Sequence, residues 1–413
     1  MKQTFKYICP KDECTGCMAC INACNHSAIK LIKNEIGFDY PVIQSDICIS
    51  CGLCYRVCPQ LNKRELKYPE KCYAAALKDR DLLLKCASGG VATALSDHYI
   101  RMGGVVVGCS GKDMSSVQHT IVSNREQLKH LQGSKYIQSF ISKDLFCQIR
   151  ELLKIGKSVL FIGTGCQVAG LQNFLIKKYN NLLTVDLVCH GVPSQQMFND
   201  NMKLYPKIEI NSVKFRQKMA KKNNTVTNFG NSIRYGLAAK SQEHIKSFWI
   251  PWYKDPYLGA FMDCINFRDG CYKCLYARPE RQSDLTICDF WGLHKDSHLY
   301  HTPGVSAILV NSEKGNRILA ELKPILNLEA REVKEAVRGN GQLQHPSILN
   351  SKREIFIRQY LKKGIKKAYL KTSYVQMRKK NVKSILISTV IEYIPCKRLL
   401  SEIYKTIRER IRK

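Results

Sequence analysis

The chain has two short runs of cysteine with the same internal spacing. In each run, three cysteines are separated by two residues and a fourth follows after three more. The first run occupies residues 14–24 and the second residues 48–58, so eight of the 20 cysteines lie in these two stretches. Thiols at this density can ligate metal, whereas cysteines buried only for packing need no such pattern. The repeat therefore predicts a metal site at each run.

The spacing matches the one by which small bacterial ferredoxins hold two cubane [4Fe-4S] clusters. Three thiolates two residues apart wrap one cube, and the fourth ligand comes from the other run because the turn cannot close completely. One cluster is predicted to be held by Cys14, Cys17, Cys20 and Cys58. The second is predicted to be held by Cys24, Cys48, Cys51 and Cys54. Structural zinc is the alternative, but zinc sites usually use separated pairs of cysteines. Cys9 precedes the first run and is predicted to fill core or loop.

The length and composition of the chain indicate how it is divided into domains. With 413 residues and 45% apolar composition, the chain can bury a large core and is predicted to form two or three domains. A polar stretch that ends at Pro69 predicts a linker with a boundary near residue 67. The predicted fold class is multidomain, combining α+β and α/β units. Residues 1–66 form a ferredoxin-like domain with a βαβ repeat, residues 67–350 an α/β domain, and residues 351–413 a basic helical tail.

Apolar strands alternate with stretches of helical length in the middle of the chain, which indicates an α/β core. Strands are predicted at residues 105–108, 158–162 and 184–188. Helices are predicted at residues 89–102 and 167–179. The carboxyl ends of such strands meet at one end of a sheet, where ligands of α/β proteins bind.

Several segments of this core resemble one family. They read ASGGV at 87–91, GSKYIQS at 133–139, GTGCQ at 163–167, CHGVPS at 189–194, FRDGCYKC at 267–274 and DFWG at 289–292. These motifs resemble the family of coenzyme F420 hydrogenase/dehydrogenase beta subunits, and with the ferredoxin-like unit the resemblance runs from about residue 5 to about residue 350. It implies an FAD beside a protein-bound [4Fe-4S] cluster, in a protein that passes electrons between one-electron carriers and a two-electron acceptor such as F420.

The motifs contain residues suited to an FAD site. Small residues between a strand and a helix let the backbone approach a cofactor, and the amides of a helix N-terminus face an anion. Lys135 would add positive charge beside the flavin or its phosphates. The residues predicted to bind the cofactor are Ser88, Gly89, Gly90, Ser134, Lys135, Gly163, Thr164, Gly165 and Gln167.

The resemblance also implies a third [4Fe-4S] cluster. The pair Cys271 and Cys274 cannot close a cubane site, so further thiolates must come from other loops. Cys166 and Cys189 each follow a predicted strand and complete the predicted ligand set, with Cys264 and Cys288 as substitutes. Ordinary burial is the alternative for these thiols. His190 is predicted to donate a proton to the substrate, because imidazole titrates near neutral pH; the alternative is a loop histidine that caps backbone groups.

The net charge of +31 is concentrated at the carboxyl end, where residues 362–413 carry sixteen Lys or Arg and three Glu. Such a surface suits an acidic ferredoxin or, because of an apolar stripe at residues 385–394, an anionic membrane surface. No nucleic-acid motif accompanies the charge, so no specific nucleic acid is predicted as a partner. No apolar leader segment or spanning stretch is visible, and we predict a cytoplasmic protein, with peripheral contact at the inner membrane surface as the alternative.

The sequence thus predicts an iron–sulfur flavoprotein oxidoreductase that passes electrons through three clusters and FAD to a small-molecule acceptor. Ferredoxin or a similar protein is the predicted electron partner. One alternative is an electron-transfer subunit that has no substrate of its own and docks a partner enzyme through its basic surface. Another is a reductase in polysaccharide biosynthesis. The sequence leaves the acceptor and the direction of electron flow open.

Overall fold

The computed structural model describes residues 6–205, 212–218, 233–240 and 247–374. Its first unit is small and contains both cysteine runs. The elements of this unit are β1 (Lys6–Tyr7), α1 (Ala19–Ala23), β2 (Ile29–Lys33), β3 (Asp39–Ile43) and α2 (Leu53–Val57). The strands form one antiparallel sheet in the order β1-β3-β2. The predicted ferredoxin-like domain is confirmed.

The two cysteine runs share a backbone conformation as well as a spacing. Gly16 and Ser50 occupy the same place in their runs and have φ of 68° and 57°. Met18 and Gly52 are likewise equivalent and have φ of 60° and 74°. Two left-handed residues in each run wind the chain into a tight loop, so that the thiols of the run point to a common centre.

A large mixed sheet forms the second unit. Its elements begin with β4 (Lys71–Leu77), α3 (Arg80–Lys85), α4 (Val91–Arg101), β5 (Val105–Ser110), β6 (Gln118–Val122), α5 (Arg125–Leu131), α6 (Leu145–Lys154), β7 (Val159–Thr164), α7 (Gly165–Leu175), β8 (Leu182–Leu187) and α8 (Gln195–Met202). A separate three-stranded sheet follows, formed by β9 (Ser212–Lys218), β10 (Ile233–Lys240) and β11 (Ser247–Pro251). The remaining elements are α9 (Pro256–Met262), β12 (Leu285–Asp289), β13 (Ser306–Val310), α10 (Glu313–Leu322), β14 (Leu326–Arg331), α11 (Val333–Gly339) and α12 (Arg353–Thr372).

The eight strands of the large sheet run in the order β14-β4-β13-β12-β8-β7-β5-β6. The four central strands β12, β8, β7 and β5 are parallel to one another, whereas the outer strands pair antiparallel. The carboxyl ends of the four parallel strands therefore lie at the same end of the sheet, where α/β proteins bind ligands. The predicted mixed α/β core is confirmed, and all three predicted strands are present as β5, β7 and β8.

The first unit packs directly on the second. One hydrophobic core contains the cysteines Cys17, Cys20 and Cys58 together with Val168 and Leu171 of α7. From the segment after the second run, Arg64 Nε donates to the Asn173 side chain at 2.7 Å. The predicted domain boundary near residue 67 stays a prediction.

Gly170 of α7 allows this close packing. A Cβ at this position would lie 3.1 Å from Cys17 Sγ and 3.2 Å from Cys17 Cβ. We expect Gly170→Leu to lower the free energy of unfolding by about 1–3 kcal/mol, because overpacked interfaces must shift. We also expect faster iron loss, since the displaced residue is a predicted ligand. Urea unfolding and iron release under chelator measure both effects. Gly341→Leu is the matched control, because a Cβ there meets nothing within 4 Å; equal behaviour of the two variants would refute the role of Gly170.

Helix α12 begins the predicted basic tail and packs against α8 and α9. The rest of that tail, residues 375–413, lies outside the described residues. Within the part of the chain that the structure describes, no helix is both long and apolar enough to cross a membrane.

Candidate functional site

The eight thiols of the first unit fall into the two predicted sets. Burial raises the pKa of Cys20 most, followed by the thiols of Cys17, Cys14 and Cys58 and, last, by that of Cys54 in the other set. Burial likewise raises the pKa of Cys54, whose thiol neighbours are Cys48, Cys24 and Cys51. The last cysteine of each run thus lies with the other run, as the ferredoxin spacing predicts. Backbone amides support the sulfurs: Ser50 N–H donates to Cys48 Sγ at 3.4 Å, and Gly16 N–H donates to Cys14.

The two sets differ in exposure. In the first, Cys17, Cys20 and Cys58 are all buried. In the second, Cys51 is exposed, and the neighbouring Ile49 is 61% exposed. The second set is therefore the one that a partner protein can approach directly.

Cys9 lies against the first set, although the sequence assigned it only to core or loop. Its thiol donates hydrogen bonds to Cys14 and Cys58. These bonds lower the pKa of Cys14 to about 5 and that of Cys58 to about 7, against the opposing effect of burial. Cys9 therefore lines the same small cavity as the four predicted ligands. Spacing could not reveal this, because Cys9 belongs to neither run.

Four further thiols meet at the carboxyl ends of the parallel strands. Cys166 is in the first turn of α7, after β7, and Cys189 follows β8. Cys271 ends a short 3-10 helix, Asp269–Cys271, and Cys274 follows it. Burial raises the pKa of Cys271, and the next largest causes are the thiols of Cys189 and Cys274; Cys166 also contributes. Burial raises the pKa of Cys189 to about 12 and that of Cys274 to about 11.

Each of these four sulfurs accepts a hydrogen bond. Thr164 Oγ1 lies 3.1 Å from Cys166 Sγ, and the Thr15 hydroxyl also bonds this sulfur. Backbone amides serve the other three sulfurs and belong to Gly191 for Cys189, to Val192 for Cys271, and to Tyr276 and Ala277 for Cys274. Such N–H and O–H groups stabilise ligating thiolates. The donor set therefore fits a [4Fe-4S] cluster.

The two substitute cysteines have other neighbours. Cys264 Sγ lies 3.3 Å from His190 Nε2. Cys288 is part of β12, and after burial its pKa is raised most by Asp289 and Cys72. The geometry thus favours Cys166 and Cys189 over Cys264 and Cys288 as ligands that act together with Cys271 and Cys274.

The arrangement of the thiols also bears on the alternative that they form structural zinc sites. Among the described residues, no three His, Cys, Asp or Glu side chains are arranged to hold a single metal ion. Tetrahedral zinc needs four ligands about 2.0–2.3 Å from one centre. A cubane is larger, because its thiolates bind four different irons, and it needs ligands set apart around a space.

The third set of thiols lies close to the first. A Cβ on Gly270 would come within 2.9 Å of the Cys14 carbonyl oxygen, so the Cys271 loop and the first cysteine run are in contact. Burial raises the pKa of Cys17 most, and the thiols of Cys58, Cys166 and Cys14 raise it further, so Cys166 of the third set lies near the first set. Tyr276 is buried between the sets, since thiols of both raise its pKa.

A cavity of about 490 Å³ extends from the third set of thiols across the end of the sheet. Its size is in the range of cofactor and ligand sites, about 300–1,000 Å³. The wall contains eight of the nine residues predicted to bind FAD: Ser88, Gly90, Ser134, Lys135, Gly163, Thr164, Gly165 and Gln167. Gly89 is the ninth, and a Cβ there would lie 2.1 Å from the Ala75 carbonyl oxygen. Gly89 therefore serves the packing of α4 on the sheet.

Several polar atoms in this wall already have protein partners. Gln167 Oε1 accepts from Thr164 N–H at 3.0 Å and so caps α7. Lys135 Nζ donates to the carbonyl oxygens of Leu131 and Gln132 at 2.7 and 2.9 Å, and burial lowers its pKa to about 8. Lys135 thus brings positive charge to the wall while its ammonium group is anchored in the loop.

His190 also lines the cavity, and both of its ring nitrogens are engaged. Nδ1 lies 2.6 Å from Gln342 Nε2, and Nε2 lies 3.3 Å from Cys264 Sγ. Burial lowers the pKa of His190, which leaves the imidazole neutral at pH 7. The alternative in which it caps backbone groups is not what these side-chain contacts show. Proton donation by His190 stays a prediction, and it requires the ring to lose its contact with Gln342 or with Cys264.

Two buried arginines that the motifs did not single out face the same cavity. Arg216 makes a two-point ion pair with Asp289, at 2.8 and 2.9 Å. Arg281 is 2% exposed and contacts Asp186 at 3.4 Å. Its Nε and Nη2 are buried and have no hydrogen-bond partner among the described residues. These two donors form one edge of the guanidinium and are suited to a planar or anionic acceptor, which fits the polar edge or phosphates of a flavin nucleotide.

The first unit and its thiol geometry define the class of protein: this is an iron–sulfur electron-transfer protein. Family models agree. Residues 13–62 match the 4Fe-4S dicluster domain, and residues 156–336 match the C terminus of the coenzyme F420 hydrogenase/dehydrogenase beta subunit. Residues 156–336 thus form a domain of the coenzyme F420 hydrogenase/dehydrogenase beta-subunit family, and a 4Fe-4S dicluster domain precedes it at the N-terminal end. The predicted family and its iron–sulfur domain are confirmed.

Individual relatives are oxidoreductase subunits. The ketoisovalerate oxidoreductase subunit VorC of Methanothermobacter marburgensis is 34% identical over 74 residues, 17% of this chain and 91% of that protein. The F420H2 dehydrogenase of Methanosarcina mazei has a subunit, designated F, that is 22% identical over 213 residues, 47% of this chain and 59% of that protein. A chain of the F420-reducing [NiFe] hydrogenase complex from Methanosarcina barkeri aligns with a TM-score of 0.43 and 16% identity, covering 73% of this chain and 91% of that chain.

Proposed function

We propose that this chain is an FAD-dependent iron–sulfur oxidoreductase with three [4Fe-4S] clusters. It receives single electrons at the exposed thiol set and delivers them in pairs to a small organic acceptor in the cavity. The observation that carries the proposal is the third set of four hydrogen-bonded thiols, which lines the cavity on one side and adjoins the ferredoxin-like unit on the other.

The chain's own residues prepare the cavity for this role. Cys166, Cys189, Cys271 and Cys274 would hold the third cluster, and the loops around Ser88 and Ser134 would hold FAD. Bound there, clusters carry single electrons and a flavin exchanges them for a pair, which amino-acid side chains do not do. Arg281 offers two buried N–H donors. The ion pair between Arg216 and Asp289 places one positive and one negative charge in the cavity wall. The rest of the cavity wall is mostly apolar.

The acceptor is proposed to be a small planar or sugar-linked molecule. The name of the Methanosarcina mazei relative makes F420 the first compound to test. A substrate of polysaccharide biosynthesis is the second, as the sequence resemblance implied. A ferredoxin-type protein is the proposed electron partner, because the exposed set around Cys51 offers a direct docking point.

Anaerobic purification with iron, sulfide and flavin analysis tests the proposal. Three clusters predict about twelve irons and twelve sulfides per chain, together with about one FAD. About eight irons and no flavin would refute the proposal and support the alternative, an electron-transfer subunit without its own substrate. Zinc without sulfide would overturn both.

A further inference from the structure

Arg268 connects the second unit to the first cysteine set. Its side chain is fully buried, although it belongs to the loop that precedes Cys271. The guanidinium reaches the first run, where Nε donates to the Cys14 carbonyl oxygen at 2.6 Å and Nη2 lies 3.4 Å from Cys14 Sγ. Nη2 also donates to the Asp39 carbonyl oxygen at 2.8 Å, and Nη1 donates to Gln138 Oε1 at 3.1 Å. Arg268 therefore donates directly to the sulfur of a predicted cluster ligand.

The charge of Arg268 has no carboxylate partner among these contacts. Its hydrogen-bond acceptors are two carbonyl oxygens, one amide oxygen and one sulfur. The ring of Tyr40 lies 4.2 Å from the guanidinium carbon and holds the plane in place. The neighbouring Arg353 differs, because its Nη2 donates to Asp269 Oδ1 at 2.7 Å. The positive charge of Arg268 is thus left to act on the thiolates beside it.

This contact adds a difference in charge to the difference in exposure between the two cysteine sets. The buried set, which contains Cys14, is in contact with the full positive charge of Arg268. In the exposed set, by contrast, the sulfurs accept from backbone amides: Ser50 N–H donates to Cys48 Sγ at 3.4 Å, and Tyr55 N–H donates to Cys54. A buried positive charge and an N–H donor to sulfur both stabilise the more negative, reduced form of a cluster.

We propose that Arg268 raises the reduction potential of the cluster held by Cys14, Cys17, Cys20 and Cys58 above that of its twin. One electron then leaves the exposed four-cysteine site and is taken up at the buried one, with no bond made or broken and no proton required. Arg268 is a positioning residue that directs electrons inward, toward the cavity. The inference depends on the two clusters of the dicluster domain, and not on the third cluster or on FAD.

An anaerobic redox titration followed by EPR tests the inference on the full-length protein. We expect Arg268→Met to lower the potential of the buried cluster while the lowest step, from the exposed cluster, stays in place. The expected change is at least tenfold in the equilibrium constant for one-electron reduction, which corresponds to about 59 mV. Arg353→Met is the matched control, since it removes a buried arginine bonded to the same loop but to no cysteine sulfur.

A pair of further variants separates charge from packing. Arg268→Lys keeps the charge and should retain the wild-type equilibrium constant for one-electron reduction to within threefold. Arg268→Gln keeps N–H donors without charge and should lower that constant as Arg268→Met does. This pair decides the question if Arg268→Met fails to retain its iron. Unchanged potentials in Arg268→Gln, or an equal shift in Arg353→Met, would overturn the inference. A titration with only the two ferredoxin-type steps would instead count against the third cluster of the proposed function and leave Arg268 testable.

Discussion

Replacing Cys271 by Ala should lower the iron content by about four atoms per chain, from about twelve to about eight. Cys271 lies with Cys166, Cys189 and Cys274, and each of these sulfurs accepts hydrogen bonds suited to a thiolate. A cubane that loses one of its four protein ligands becomes labile, while the ferredoxin pair is held by separate loops. The EPR signals of the two ferredoxin-type clusters should therefore remain. Iron analysis and EPR of the dithionite-reduced protein measure the two effects.

The sequence itself supplies the matched controls for this experiment. Cys264→Ala and Cys288→Ala should each keep about twelve irons, because Cys264 Sγ lies beside His190 and Cys288 lies near Asp289 and Cys72. If Cys288→Ala loses iron and Cys271→Ala does not, the ligand assignment is wrong. If neither the variants nor the wild type exceed about eight irons, the third cluster does not exist.

Local sequence pattern was sufficient for much of this architecture. Strand β5 was predicted at residues 105–108 and is found at Val105–Ser110, because an unbroken apolar run between turn residues is typical of a buried parallel strand. The cysteine sets follow from spacing, since residues two or three apart in a loop have few arrangements. Cys166 and Cys189 were predicted to meet because parallel strands end together. Each of these inferences uses residues that are near in sequence or related by sheet geometry.

The residues that sequence reasoning missed act across long separations. Arg268 contacts Cys14 over 254 residues, and no periodicity or motif predicts which buried arginine will reach which loop. Gly89 was predicted from a glycine pair to bind a cofactor, yet its missing Cβ makes room for the Ala75 carbonyl oxygen. A glycine in a motif says that something approaches closely, and only the fold decides whether that neighbour is a cofactor or another strand.

Among the ion pairs that the described residues form beside the cavity, that of Arg281 and Asp186 is the most deeply buried. Their side chains are 2% and 1% exposed, and the contact is 3.4 Å long. Burial raises the pKa of Asp186, and the charge of Arg281 opposes that increase. Breaking such a pair by removing one partner leaves an uncompensated charge, whereas replacing both partners by apolar groups is often nearly neutral. The pair is therefore suited to separating stability from cofactor binding.

We expect Arg281→Met to lower the free energy of unfolding at pH 8 by about 3–5 kcal/mol, because Asp186 remains buried without its partner. Without Arg281 the folded-state pKa of Asp186 rises further above its usual 3.8. The unfolded state then binds fewer protons than the folded state, so the loss should grow as pH rises from about 4 through that folded-state pKa. Urea unfolding of each variant at pH 5 and pH 8 measures the difference.

The double variant Arg281→Met/Asp186→Leu should recover most of the lost stability, because no charge is left buried. It should still retain less flavin than the wild type if the free edge of Arg281, Nε and Nη2, binds the cofactor. Flavin content after gel filtration measures this second effect, and Asp186→Leu alone, which keeps the free edge of Arg281, is the control. A double variant that regains both stability and flavin would show that Arg281 only neutralises Asp186. Recovery of stability without flavin would identify Arg281 as a cofactor ligand, because a purely structural role cannot separate the two measurements.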